Sequence, residues 1–535
     1  MILSELHLLA PLIPKLVVPA LTGLLASIVL EFLFMVPRNC IQFNRGSAGY
    51  LVHSASWISF FLVCLLLFQR PWFAVLLATS FQLLVLAVNF AKFRSLREPF
   101  ILQDFEYFTD LIRHPGLYLP FFGIWNAVLG AVLFIALVSV ALMLEDSVLA
   151  TTGAGATLFF SVVASLLAVT LIAARFCAAG LPIPKLKPTE DIRAMGLYAS
   201  FWCYYLAFRS SLAPEPRKMF RPDGGRTDAK GVKSADFPDF LVVQSESFFD
   251  PRLSYSAVRQ DVLQHYDRII KQSLCYGQLN VPAWGANTVR TESAFLTGLS
   301  PAKMGIHQFN PYWYLSRNAL PNLVSKLKSQ GYKTVCIHPY PVDFYRRNKV
   351  FPKLGFDSFI DLSGFNEDQK DGQYVSDAAV AEKVAEVIGQ EKQPCFIFTI
   401  TMENHGPLHL ESDQGIDKGL LYSEVPPAAG VRDLTVYLRH LKNADQMLDR
   451  LTRMLSARER KSYLCWYGDH VPVMAQVYKT MGEPAAETPY LIWCSELDFE
   501  ATQVQTLAAD ELALKLLSYS APDYTLGVSD RAVSG

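Results

Sequence analysis

Across its first 180 positions the sequence has almost no charge: only 17 of the 48 basic and 49 acidic residues of the 535-residue chain fall there. A water-soluble fold needs a polar surface, so this scarcity excludes an ordinary soluble domain and leaves a membrane segment. Net charge is nearly absent too, at −1, which excludes a nucleic-acid partner held by bulk charge. Cysteine is sparse, with nine residues, an odd number, and no Cys-x-x-Cys pair. That is a poor basis for a disulfide framework. Cys336, Cys395, Cys465 and Cys494 lie in or beside apolar strand candidates and read as small buried hydrophobes. Internal repeats are lacking as well, which excludes a solenoid.

What the first third does contain is five apolar runs, near Leu16–Val36, Tyr50–Phe68, Trp72–Ala91, Phe121–Leu144 and Ala156–Cys177. Each is long enough to cross about 30 Å of hydrocarbon as a helix. The first is too long and too poor in flanking positive charge for a cleavable signal. It contains Glu31, which either sits at the interface, the simpler expectation, or pairs within the bundle. Lys92–His114 mixes aromatics with both charge signs, a pattern suited to the bilayer surface. Five spans put the two ends of the chain on opposite sides. By loop charge alone, Arg38, Arg45, Lys92, Arg94, Arg97 and Arg113 against Lys15 and Arg70 favour a cytoplasmic C-terminal part.

Residues 181–235 form a Pro-, Lys- and Arg-rich connection. Its apolar patch Ala194–Phe208 is too short for a span and is expected to be an interfacial helix, followed by a flexible linker over Phe220–Ala235. From 236 to 535 the pattern changes. Strand candidates Asp239–Gln244, Tyr332–His338, Cys395–Thr401, Tyr463–Tyr467 and Pro489–Trp493 alternate with helical candidates Leu320–Gln330, Ser376–Gly389, Asp433–Leu455 and Ala508–Leu517. This alternation predicts an α/β domain with a mostly parallel sheet, whose function sits at the carboxyl ends of its strands.

Those strand ends carry chemistry. Glu246 follows the first strand in QSESFFDP, His405 the third in TMENHGP, and Asp469 and His470 the fourth in WYGDHVP. The segment Gly285–Pro301 precedes a predicted helix starting near Thr288. Two carboxylates, an imidazole and a hydroxyl from separate strand ends can meet around one divalent cation, with Mn²⁺ the natural compromise and Mg²⁺ or Zn²⁺ compatible. A metal-bound threonine is an activated nucleophile, and a helix N-terminus favours an incoming phosphate.

In that order the motifs resemble the lipoteichoic acid synthases and related membrane phosphoglycerol transferases of the alkaline phosphatase/sulfatase superfamily. Glu246-Ser247 matches the family's ES, Thr288-Val289-Arg290-Thr291-Glu292 its T-x-x-x-E nucleophile motif, and Gly468-Asp469-His470 its GDH. Asn404-His405-Gly406-Pro407 matches NH-x-P. His338…Phe344-Tyr345-Arg346-Arg347 resembles H…FW-x-R with Tyr for Trp, and Ala286-Asn287 replaces the Gly-Lys that often precedes the nucleophile. The resemblance covers nearly the whole chain and implies a five-helix transmembrane bundle followed by an extracytoplasmic sulfatase-like α/β domain, in a bacterial plasma or inner membrane. It implies Thr288 as nucleophile and metal ligand, Glu246, Asp469 and His470 as the other ligands, and Arg347 and His405 as substrate-binding residues. The implied reaction moves glycerophosphate from phosphatidylglycerol to a glycan or polymer acceptor through a phospho-threonine. Thr291 is the rival nucleophile, one turn along.

The alternatives are a phosphoethanolamine transferase, a phosphodiester hydrolase of the same superfamily, or a non-catalytic membrane protein that binds glycans or lipids. A sulfatase activity is disfavoured, because Asn287-Thr288-Val289-Arg290 has neither the Cys nor the Ser of C/S-x-P-x-R.

Overall fold

The five apolar runs fold as long helices: α1 (Leu12–Phe34), α2 (Ser47–Phe68), α3 (Pro71–Leu96), α4 (Ile124–Leu144) and α5 (Ala156–Ala179). In this computed structural model residues 12–40, 45–116, 123–152, 155–221, 237–424, 430–496 and 502–520 are described. The expected linker beyond Arg221 and the expected start of the fourth span at Phe121 lie outside them. The chain divides into two compact units, Met1–Leu212 and Ala213–Gly535.

In the first unit the helices are apolar on all sides. Leu21, Leu25, Trp125 and Leu133 remain exposed, while Trp57, Phe61, Leu65, Ala74, Phe159 and Val163 pack between helices. Exposed leucine is the expected outer surface of a bundle whose solvent is lipid, since backbone polar groups are satisfied within each helix. Glu31 is buried and paired within this unit. Arg45 grips it with two N–H groups at 2.7 and 3.1 Å, His53 Nδ1 lies 2.9 Å away, and the Leu197 N–H donates at 2.9 Å. A buried carboxylate needs such partners to be tolerated. The connection forms two helices, α6 (Pro188–Met195) and α7 (Leu197–Arg209); the apolar patch lies mostly in α7, which buries Leu197, Ala199 and Tyr204 within this unit.

The second unit is built on one sheet. Its strands are β1 (Asp239–Ser245), β2 (Ser273–Asn280), β3 (Lys333–Ile337), β4 (Ser358–Ile360), β7 (Cys395–Ile400), β8 (Ser462–Gly468), β9 (Thr488–Cys494), β10 (Gln503–Val504) and β11 (Leu507–Ala508). The order is β10-β2-β9-β8-β1-β7-β3-β4, with β11 on β2. A small hairpin, β5 (Lys370–Asp371) and β6 (Tyr374–Val375), stands apart. From β8 to β4 the sheet is parallel, and β9 runs antiparallel to both β8 and β2.

Strands β1, β7 and β8 are buried along their whole length, as fits a sheet covered by helices on both faces. The alternation along β1 separates two cores. Leu241 and Val243 face the layer of α9 (Asp377–Gln390) and α10 (Arg432–Ser456). Phe240 and Val242 face α8 (Thr288–Thr297) and α11 (Ala509–Ser520). The register aligns the carboxyl ends: Ser245 lies opposite Gly468, Gln244 opposite Ile400, and Ile337 opposite Thr399. Residues far apart in sequence therefore leave the sheet side by side.

Candidate active site

Three ligating groups meet at the ends of β1 and β8. Glu246, Asp469 and His470 are buried, and one donor atom of each lies within 4.8 Å of the other two. The backbone aims them. Asp469 Oδ1 accepts from the N–H groups of Ser247 (2.9 Å) and His470 (3.0 Å), which leaves Oδ2 buried with no hydrogen bond of its own. His470 Nδ1–H donates to the Val471 carbonyl at 3.1 Å, which turns Nε2 toward the other ligating groups. Ser247 Oγ donates to Glu246 Oε1 at 2.8 Å, and the Glu246 N–H donates to Thr401 Oγ1 at 2.9 Å. Gly468 is sterically required, because a Cβ there would lie 1.9 Å from the Phe248 carbonyl oxygen.

Thr288 completes the set. It is the first residue of α8, and Asn287 before it adopts a left-handed conformation at φ +65°. Asn tolerates that region better than most residues, which rationalises the Ala286-Asn287 pair. Thr288 Oγ1 lies 3.4 Å from His470 Nε2; the same nitrogen is 3.2 Å from Asp469 Oδ2 and 3.6 Å from Glu246 Oε1. Ligands at about 2.1 Å from one cation are separated by about 3.0–3.5 Å, so this donor set fits a divalent metal. The orphaned Asp469 Oδ2 is the atom that such an ion would satisfy. Burial first, and then the Asp469 charge, push the Glu246 carboxyl well up. The rival Thr291 is turned away: fully buried, it donates to the Asp469 carbonyl at 2.8 Å.

Arg347 lies against the helix that carries Thr288. It is buried, and its two-pronged contact is with Glu292, at 3.2 Å from Nε and 2.8 Å from Nη2. Its Nη1 lies 3.2 Å from His338 Nε2, whose ring donates from Nδ1 to the Ile400 carbonyl at 3.2 Å. Tyr312 OH also donates to Glu292. Glu292 lies one turn after Thr288 on α8, so the Arg347–Glu292–Tyr312 set anchors the helix that presents the nucleophile. Motif matching quoted Glu292 without a role and missed Tyr312 altogether; the four-residue spacing from Thr288 to Glu292 was the available signal. His405 follows β7 and is half-buried. Its Nδ1–H donates to the Gly406 carbonyl at 2.6 Å, and burial lowers its pKa, so Nε2 is a neutral acceptor. The ring stands edge-on to Tyr374 at 5.4 Å.

Residues 238–518 match the family model described as Sulfatase. The capsular polysaccharide biosynthesis protein RkpI of Rhizobium meliloti is 28% identical over 447 residues, covering 79% of this chain and 77% of that protein. The lipoteichoic acid synthase of Staphylococcus saprophyticus is 25% identical over 183 residues, 33% of this chain and 27% of that one. Among solved structures, the integral membrane lipooligosaccharide phosphoethanolamine transferase A of Neisseria meningitidis aligns over 94% of this chain and 95% of its own, with TM-score 0.54 and 13% identity. At that identity the likeness shows the fold.

Proposed function

Because the chain belongs to the sulfatase family, within the alkaline phosphatase superfamily, we propose that it is a membrane phosphotransferase with Thr288 as its nucleophile. The observation that carries this reading is the convergence of Thr288 Oγ1, Glu246, Asp469 and His470 Nε2 at ligand spacing, with the hydroxyl at a helix N-terminus. A divalent cation, Mn²⁺ first and Mg²⁺ or Zn²⁺ next, would be held by these four residues, would favour the threonine alkoxide and would neutralise charge on the phosphate oxygens.

Phosphatidylglycerol is the proposed donor. The Thr288 Oγ–P bond forms, the P–O bond to diacylglycerol breaks, and the proton lost by the threonine is matched by one gained at the leaving oxygen. A hydroxyl of a glycan or polymer acceptor then attacks phosphorus, the Oγ–P bond breaks, and the proton that the acceptor loses is matched by one gained at Thr288 Oγ. Splitting the transfer in this way makes each step easier. The first-turn N–H groups of α8 face the incoming anion. His405 Nε2 offers an acceptor to a headgroup hydroxyl. Arg347 keeps hydrogens on Nη1 and Nη2 beyond those it gives to Glu292 and His338, enough for a single contact to phosphate.

The glycan acceptor draws support from the capsular polysaccharide role in the name of RkpI and from the lipoteichoic acid synthase relative. The name of the Neisseria neighbour makes phosphoethanolamine the second donor to test. The five spans keep the chain in the membrane, where lipid headgroups are locally concentrated. The resemblance to extracytoplasmic lipid-donor transferases supports a second unit outside the cytoplasm, against the loop-charge count. The deciding experiment incubates the membrane-embedded protein with headgroup-labelled phosphatidylglycerol and phosphatidylethanolamine and measures diacylglycerol release from each. Release from phosphatidylglycerol is expected; release only from phosphatidylethanolamine would replace the donor, and release from neither would end the transferase reading.

A further inference from the structure

Beyond the catalytic groups, the β5–β6 hairpin, the loop after β7 and α10 bring a second set of ligating side chains together. Donor atoms of Asp371, Glu403 and His440 lie within 4.8 Å of one another. Glu403 and His440 are fully buried, whereas Asp371 is half-buried. His440 Nδ1 is 2.8 Å from Glu403 Oε1, and Nε2 is 3.0 Å from Glu411 Oε2. Asn443 Nδ2 donates to Asp371 Oδ2 at 2.9 Å and to Glu403 Oε1 at 2.6 Å. Arg439 donates to Glu411 Oε2 at 2.8 Å and lies 3.3 Å from Asp371 Oδ1.

Asp377 is the group that this network leaves over. It is fully buried, and both of its carboxylate oxygens lack a hydrogen-bond partner. Burial first, and then the Glu403 charge, push its carboxyl well up, and its own N–H donates to Glu403 Oε2 at 2.6 Å, so it borders the cluster. Four carboxylates thus face one guanidinium and one imidazole. An unpartnered buried carboxylate is costly, and a cation is the class of ligand that removes the cost. Gly372 lets the hairpin pack on Glu411: at φ +77°, a Cβ would lie 2.5 Å from Glu411 Oε1.

We propose that Asp371, Glu403 and His440 hold a second divalent cation beside Asp377, which ties the loop bearing His405 to α10 and to the β5–β6 hairpin. The mixed carboxylate–imidazole set selects Mn²⁺ or Zn²⁺ over Ca²⁺. Opposite ligands of an ion bound at about 2.1 Å stand about 4.2 Å apart, within the span of these atoms. On binding, a metal–nitrogen bond replaces one N–H of the His440 ring, and that proton leaves to solvent.

The test uses the full chain in detergent, stripped by chelation and titrated with Mn²⁺ alone and, separately, with Zn²⁺, with bound metal counted by elemental analysis. Two ions per chain are expected for the wild type and one for Glu246→Gln/Asp469→Asn. In that double variant the remaining ion should raise Tm, and adding Asp371→Asn should abolish both the ion and the rise. Asp371→Asn is preferred to His440→Ala because its half-buried side chain can be changed with the fold kept; Glu403→Gln serves as a second removal. A wild-type count of one that falls to zero in Glu246→Gln/Asp469→Asn, for both metals, would show an ion-free imidazolium network and overturn the proposal. Two ions that survive both Asp371→Asn and Glu403→Gln would also overturn it. Neither result bears on diacylglycerol release, so the transferase reading stands or falls separately.

Discussion

Two clusters in the second unit use the same residue types and differ in the fate of one ring nitrogen. At His470, Nδ1–H goes to a backbone carbonyl and Nε2 faces Thr288, Glu246 and Asp469 at 3.4, 3.6 and 3.2 Å. At His440, Nδ1 is held by Glu403, and Nε2 lies 3.0 Å from Glu411 and 2.8 Å from Arg439 Nη2. Burial opposes charge on that ring, yet the hydrogen bonds to Glu403 and Glu411 raise its pKa to about 9. The first ring turns Nε2 toward the other three donors, as a metal ligand must; the second is held by hydrogen bonds at both nitrogens, one of which a metal would have to replace. What sits behind the ring, a carbonyl at His470 and a carboxylate at His440, separates the two.

The sharpest way to break the comparison is to remove what only the first cluster has, its nucleophile. Thr288→Ala should abolish both the phospho-threonine adduct and diacylglycerol release, and Thr288→Ser should keep part of each because it retains the hydroxyl. Thr291→Ala should still form the adduct, since that hydroxyl is spent on the Asp469 carbonyl. Mass spectrometry of a peptide spanning Gly285–Phe295 locates the added mass, and an adduct on Thr291 would move the nucleophile one turn along.

Exchanging the two histidines tests the contrast itself. His470→Ala should lose turnover by about 10³-fold or more with little change in denaturation midpoint. His440→Ala should instead destabilise the chelated protein by about 3–5 kcal/mol, because it leaves Glu403 buried beside Asp377 without its cation. Similar midpoints for the two variants in chemical denaturation would erase the distinction.

Gly468→Ala comes next. The added Cβ would collide with the Phe248 carbonyl, so β1 and β8 must part where Glu246 and Asp469 leave the sheet. A loss of about 1–3 kcal/mol and of metal binding is expected by thermal melting and metal titration. The smallest effect is expected at Ser247→Ala, which removes one hydrogen bond to Glu246, worth about 1 kcal/mol. Its turnover should fall modestly while the metal count stays whole; loss of the ion would show that Ser247 does more than orient Glu246.

The readability of the chain follows physical range. The apolar runs and the all-buried strands β1, β7 and β8 were legible because continuous hydrophobicity over a span or a parallel strand is a local signal. Strand β2 was not: SLCYGQLN carries Ser, Gly, Gln and Asn, and it is a strand because β9 pairs with it. The same divide runs through the site. Glu246, Thr288, Asp469 and His470 stood out through short motifs at strand and helix ends, where chemistry gathers in α/β folds. The partners of Glu31, the diversion of Arg347 to Glu292 and the meeting of Asp371 with His440 depend on residues brought together from distant parts of the chain. Sequence by itself determined a membrane segment, an α/β domain and a threonine-centred ligand set, because periodicity and motif spacing act over a few residues. Tertiary structure alone decided which nitrogen is free, which carboxylate is left unpaired and where each arginine spends its donors, because burial turns those pairings into energies of several kcal/mol.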